Sequence, residues 1–131
     1  MRIKPLDRVI VIVMLVAIIA SFALVASATS YTSTLLLGRN TSFTGSFRKY
    51  ECPNENINIS FTGTGSAGND WQNVVELQQR VLIFDSSHGA RYVGTSVNET
   101  WTGCKDGKYA FFFANYGTTD WKADKVYMRS N

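Results

Sequence analysis

The sequence predicts an all-β fold, an antiparallel β-sandwich of jelly-roll or immunoglobulin-like kind with seven or eight strands, preceded by one N-terminal transmembrane or signal helix. Three observations predict it. Apolar and polar residues alternate with a period of two through most of the chain beyond residue 31. Clusters of Gly, Asn, Asp and Ser separate these runs at short intervals. An uncharged apolar stretch, Val9 to Ala28, stands ahead of them all.

That stretch reads VIVIVMLVAIIASFALVASA. As a helix it would extend about 30 Å, the thickness of a bilayer core. Arg2, Lys4 and Arg8 precede it, so the positive-inside rule places the N-terminus in the cytoplasm and the remainder outside. Ala26-Ser27-Ala28 fits the small-x-small pattern of a signal-peptidase site. Two fates therefore stand side by side: a domain anchored in the membrane, or one secreted after cleavage following Ala28. A third is pilin-like, with the same helix packed into a filament core, although Asp7-Arg8 occupies the place where prepilin processing wants a small residue. The organisation is residues 1–30 as basic flank and signal-anchor helix, and residues 31–131 as an extracytoplasmic domain.

Within that domain, Ile57, Ile59 and Phe61 alternate with Asn58, Ser60 and Thr62. Val75, Leu77, Val81 and Ile83 fall on one parity, opposite Glu76, Gln78 and Arg80. Val97 and Trp101 share a face, as do Val126 and Met128. The segments 63–70, 85–89 and 105–107 read as the turns between them. The run GKYAFFFANYG at 107–117 places Tyr109, Phe111 and Phe113 on one face, which fills the core. Phe112 points the other way, where a solvated strand would carry a polar residue. It is expected to be covered by a neighbouring subunit, a loop or the tail after Tyr31.

Charge excludes one class of partner. Thirteen basic residues face ten acidic ones, but the three basic residues of the leader supply most of the excess. Beyond residue 30 no basic patch survives, so nucleic acid is not a partner. Export has independent support in three Asn-x-Ser/Thr sequons, at Asn40, Asn58 and Asn98, all in the exported part. Cys52 and Cys104 are the only cysteines, and neither sits in a CxxC pair. In an oxidising compartment they read as a disulfide. It would close a loop of roughly 52 residues and contribute about 4 kcal/mol on the chain-entropy account.

The C-terminal third resembles a GOLD domain, the jelly-roll-like sandwich of cargo receptors in the early secretory pathway. The resemblance lies in Gly107-Lys-Tyr109-Ala-Phe111-Phe112-Phe113-Ala-Asn115, which continues through a polar turn to Lys125-Val126-Tyr-Met128. Cys52 stands where that family tends to have an early cysteine. Cys104 precedes the aromatic strand rather than lying within it, and the apolar segment here is N-terminal rather than C-terminal. The resemblance implies the fold and a binding or scaffolding role.

No constellation for catalysis emerges, and no cofactor or metal is implied. His88 is the sole histidine and lies in Asp85-Ser-Ser-His-Gly89, residues suited to a tight turn. One histidine rules out the ligand set of blue copper, and two cysteines with one histidine do not complete a zinc site without carboxylates. Glu76 and Glu99 lie on polar strand faces, as solvated acids do. The aromatics remain: Trp71, Trp101, Trp121 and Tyr92 fall near strand ends or loops, where they either close the core or stack on a sugar or partner. The reading is a non-enzymatic, membrane-anchored accessory or structural subunit, or an adhesive module, with a protein partner or self-association. The alternatives are a filament subunit, pilin-like or joined by strand exchange through residues 31–37, and a secreted carbohydrate-binding module.

Overall fold

A computed structural model describes residues 28–66 and 72–131. The expected N-terminal helix falls almost wholly on residues 1–27, and Trp71 on 67–71; both lie outside the described residues. The described chain is all-β. Among the described residues no helix is long and apolar enough to cross a membrane.

Ten strands follow in order: β1 (Ser30–Leu37), β2 (Thr41–Thr44), β3 (Arg48–Tyr50), β4 (Ile57–Phe61), β5 (Thr64–Gly65), β6 (Asn73–Val81), β7 (Phe84–Val93), β8 (Val97–Trp101), β9 (Gly107–Asn115) and β10 (Trp121–Ser130). They form two antiparallel five-stranded sheets, so the fold is sandwich-like. One sheet has the order β1-β10-β4-β8, with β5 also on β10; the other has β2-β9-β6-β7, with β3 also on β9. The count exceeds the seven or eight expected because β2, β3 and β5 are too short to show an alternation of their own.

The period-two reading locates the core correctly along β4, where Ile57, Ile59 and Phe61 are buried and the residues between them are half-exposed. On β9, Tyr109, Phe111 and Phe113 face inward as expected. Their rings join a chain of aromatics between the sheets: Trp101 to Phe111 at 5.7 Å, Phe111 to Phe113 at 6.5 Å, Phe113 to Trp121 at 6.2 Å, and Trp121 to Phe61 at 5.6 Å. Two of the four, Trp101–Phe111 and Phe113–Trp121, meet edge to face, a geometry that the ring quadrupoles favour.

One turn is displaced from its expected place. Residues 85–89 are not a turn but part of β7, and the chain reverses at Leu82-Ile83 instead. Cross-strand pairing explains the shift: Gln78 lies opposite Ser87, Gln79 opposite Ser86 and Arg80 opposite Asp85. The polar cluster thus pairs with polar residues of β6, and the apolar residues are left for the tip. Val75 and Leu77 enter the core, whereas Val81 and Ile83 run past the start of β9 and stay exposed.

At the opposite end of the sandwich a buried polar cluster clamps the loops. The Ser66 hydroxyl is shared between Asn73 Oδ1 at 2.7 Å and Asn115 Oδ1 at 3.0 Å. Asn115 Nδ2 donates to the carbonyls of Leu37 and Thr119, and its Oδ1 accepts from the Gly117 N–H. Gly117 is needed there, because a Cβ would stand 2.4 Å from Ser66 Oγ.

Cys52 and Cys104 are free thiols, both buried, and the expected bridge is not formed. Both backbones bond to Glu55: the Cys52 carbonyl accepts the Glu55 N–H at 3.0 Å, and the Glu55 carbonyl accepts the Cys104 N–H at 2.8 Å. The Cys104 thiol is turned to its own loop, 3.6 Å from the Trp101 carbonyl oxygen. Burial pushes its pKa from 9.0 up to about 11, with the neighbouring Cys52 adding to the effect. Burial raises Cys52 as well, followed by the charge of Asp106.

Candidate binding cleft

The two long sides of the sandwich differ. Where β7 faces β8, the sheets are tied together: Trp101 Nε1 donates to the Gly89 carbonyl at 2.9 Å, and the Arg91 guanidinium lies 5.2 Å over the Trp101 ring. Where β1 faces β2 and β3, the hydrogen bonds between the sheets among the described residues lie near the ends. Asn115 reaches the Leu37 carbonyl at one end, and the Tyr31 hydroxyl donates to the Lys49 carbonyl at the other. Between those two ties the side gapes.

Both edges are irregular at the level of the gap. β2 and β3 are one edge strand interrupted at residues 45–47: the Gly45 N–H still donates to the Phe111 carbonyl, but pairing resumes only at Arg48, opposite Tyr109. On the facing edge the register slips between Ser33 and Leu35, where two residues of β10, Asp124 and Lys125, lie opposite one of β1. A bulge bends and twists the strand that carries it, which on this sheet is β10, the neighbour of edge strand β1. The result is a cleft of about 310 Å³ between the sheets, at the lower end of the size range of small-molecule sites.

Its inner wall is apolar, made by Leu35, Leu37, Phe111, Phe113, Val126 and Met128. Tyr50 and Tyr109 lie at its closed end, and burial foremost holds both phenols above their usual pKa, so they are neutral. The mouth is mixed. Phe43, opposite Phe113 in register, leans in from the edge while remaining 57% exposed, beside Ser33 and Ser46. Arg48 completes the mouth, its guanidinium 4.9 Å from the Tyr31 ring centroid. Among the described residues no carboxylate lies within ion-pair distance of it. The arrangement accepts an apolar group and sets one guanidinium, stacked on the Tyr31 ring, at the entrance.

The residues singled out in the sequence are dispersed. Trp101 and Trp121 are fully buried and close the core, with the Trp121 indole N–H on the Thr95 carbonyl at 2.8 Å; neither presents a face to a sugar or partner. Tyr92 is exposed on the outer face of the β2-β9-β6-β7 sheet, opposite Val74. Phe112 is half-buried on that same face, between Thr44 and Glu76. The tail after Tyr31 does not cover it, because that tail is β1 of the other sheet. Residues 31–37, the segment that strand exchange would use, are paired with β10 of their own chain.

The sequons differ in access. Asn40 is exposed in the β1–β2 turn, and Asn98 is exposed on edge strand β8. Asn58 is half-buried on β4, its amide nitrogen donating to Asn98 Oδ1, the Glu99 carbonyl and Thr100 Oγ1. His88 hydrogen-bonds Gln79 at 2.8 Å and packs on the Tyr109 ring, so no acid orients it. Glu76 and Glu99 lie on different sheets. Among the described residues no three His, Cys, Asp or Glu side chains converge as a metal site.

Sequence reasoning missed both the cleft and the hairpin tip. The tip had a signal, since Val81-Leu-Ile-Phe84 is a run of four apolar residues where alternation fails. The cleft had a fainter one in Gly45-Ser46, a breaker inside an otherwise strand-like stretch. The chain matches no protein-family model and no curated protein.

Proposed function

We propose that this chain is a binding module held on the extracytoplasmic face of a membrane by its N-terminal segment, and that its inter-sheet cleft takes an apolar group carrying an anionic end. The observation that carries the reading is the cleft: an apolar volume of about 310 Å³, opening beside two irregularities of strand pairing, with Arg48 at the mouth and, among the described residues, no carboxylate within ion-pair distance of it. Apolar walls with one or two convergent polar groups are the usual make-up of a small-molecule site. A cation without a partner acid suits an anion that arrives with the ligand. The anchored placement is supported by the charge-free segment 9–28 and the basic residues before it. A jelly-roll, GOLD-like topology is the finer fold reading, supported by the inward-facing Tyr109, Phe111 and Phe113 between flanking strands. In this reading the module acts by contact, as an accessory or adhesive subunit.

A calorimetric titration of the full chain in nanodiscs tests it, with naphthalene-1-sulfonate against neutral naphthalenemethanol and empty discs subtracted. The sulfonate is expected to bind about tenfold more tightly, a preference of about 1.4 kcal/mol, and Arg48→Met is expected to remove the difference. Ser33→Phe, which plugs the mouth, is expected to abolish both. Equal binding of the two probes to the wild type, or binding that survives Ser33→Phe, would sink the reading.

A further inference from the structure

We infer that the tip of the β6–β7 hairpin is a second membrane contact, dipping Leu82, Ile83 and Phe84 into a lipid surface at the end of the domain where the chain enters from its N-terminal segment. This rests on the anchored reading above.

The tip is apolar, exposed and strained. Leu82 is 90% exposed, Ile83 87% and Phe84 71%, with Val81 beside them. Two-residue hairpin turns favour Asn-Gly or Asp-Gly, because they need a positive φ that side chains resist. Here Leu82 adopts φ 58° without the help of a glycine. A branched apolar residue therefore occupies the one place in the hairpin where it suits the turn least, and it buries nothing within the domain. Single exposed apolar residues need no explanation, but three in sequence at a projecting tip point to a partner phase.

The position of the tip identifies that phase. Thr29, the residue after Ala28, is bonded to Ser130 and Glu51. Glu51 follows β3, whose Lys49 lies opposite Lys108, which in turn lies opposite Arg80 on β6. The chain's entry from the apolar segment and the hairpin tip are thus at the same end of the sandwich. They occupy opposite corners of it, since β1 and β7 are edges on opposite sides. An anchor that ends at Ala28 puts this end of the domain, and the tip with it, nearest the bilayer.

Charge agrees. Lys49, Lys108 and Arg80 stand in a row across β3, β9 and β6, one residue back from the tip. Asp85 pairs with Arg80 at 3.1 Å, and Glu55 pairs with Lys105 at 2.8 Å. Asp106 accepts the Cys52 N–H. Lys49 and Lys108 have no carboxylate within ion-pair distance among the described residues. Lysines beside an apolar tip can lie along the interface with their charged heads kept in water. One tether lets a domain swivel; two contacts at opposite corners set its orientation, and with it the direction in which the cleft opens.

The test uses the full chain in phosphatidylcholine–phosphatidylglycerol vesicles with plain or brominated acyl chains. Tryptophan emission of Ile83→Trp is compared with that of Tyr116→Trp, an exposed position at the far end of β9, after subtraction of wild-type emission. Ile83→Trp is expected to lose about half its emission in brominated vesicles and Tyr116→Trp almost none, as a tip buried at the headgroup–acyl boundary requires. Co-sedimentation with Ile83→Trp unquenched overturns the tip contact and leaves the anchor standing. A chain that stays in the supernatant overturns the anchored reading and the tip contact together. Equal quenching at both positions also overturns it, because such a domain does not stand on one end.

Discussion

Trp101 Nε1 donates to the Gly89 carbonyl oxygen at 2.9 Å, and this bond joins one sheet to the other along the β7–β8 side. Its counterpart on the β1–β3 side is missing over the middle of the domain, where the cleft opens instead. Trp101→Phe keeps most of the ring packing on Phe111 but leaves the Gly89 carbonyl without its donor. The expected loss is about 1–3 kcal/mol by urea denaturation. A loss near zero would show that water replaces the indole and that this side is not closed.

Phe111 and Phe112 are adjacent in sequence and opposite in role. Phe111 is buried against Trp101 and Phe113, whereas Phe112 is half-buried on the outer face. Phe111→Ala is expected to cost about 3–5 kcal/mol, and Phe112→Ala about 1 kcal/mol. Equal losses from the two substitutions, measured by denaturant titration, would contradict the face assignment.

Leu82 offers a substitution that stabilises. At φ 58° and almost fully exposed, it carries backbone strain and gives no core contact in return. Leu82→Asn tolerates that conformation, and a gain of about 1 kcal/mol is expected. The same variant is expected to weaken the tip's hold on vesicles. Higher thermal stability with poorer insertion would show that the strain is kept for contact.

The Cys104 thiol supplies a pH dependence. Its ordinary pKa of 9.0 is raised by burial to about 11 in the folded chain. Below pH 9 folded and unfolded chains both hold the proton, and the neutral thiol's contribution is fully present. Above that the unfolded chain releases the proton while the folded one keeps it, so stability falls as pH rises from 9 to 11. The stability difference between wild type and Cys104→Ala, measured under reducing conditions, is expected to shrink across that window. A difference that stays flat would mean that the thiol is absent, as in a Cys52–Cys104 bridge.

The sequence by itself determined the all-β class and most of the core. Alternation is a local property, and a strand with one buried face writes it directly, as in Ile57, Ile59 and Phe61 or Tyr109, Phe111 and Phe113. Tertiary structure decided where each face ends. Val81 and Ile83 continue the parity of Val75 and Leu77, yet they lie beyond the start of β9 and so meet water instead of a sheet. Trp101 and Trp121, near strand ends in the sequence, are buried with their indole N–H groups satisfied by distant carbonyls, Gly89 of the opposite sheet and Thr95 of the β7–β8 connection. The cleft is set by two edge irregularities 79 residues apart, at Gly45 and Asp124, which only the pairing of distant strands brings to one level. Local periodicity records what a strand buries; it does not record how far the neighbouring strand extends.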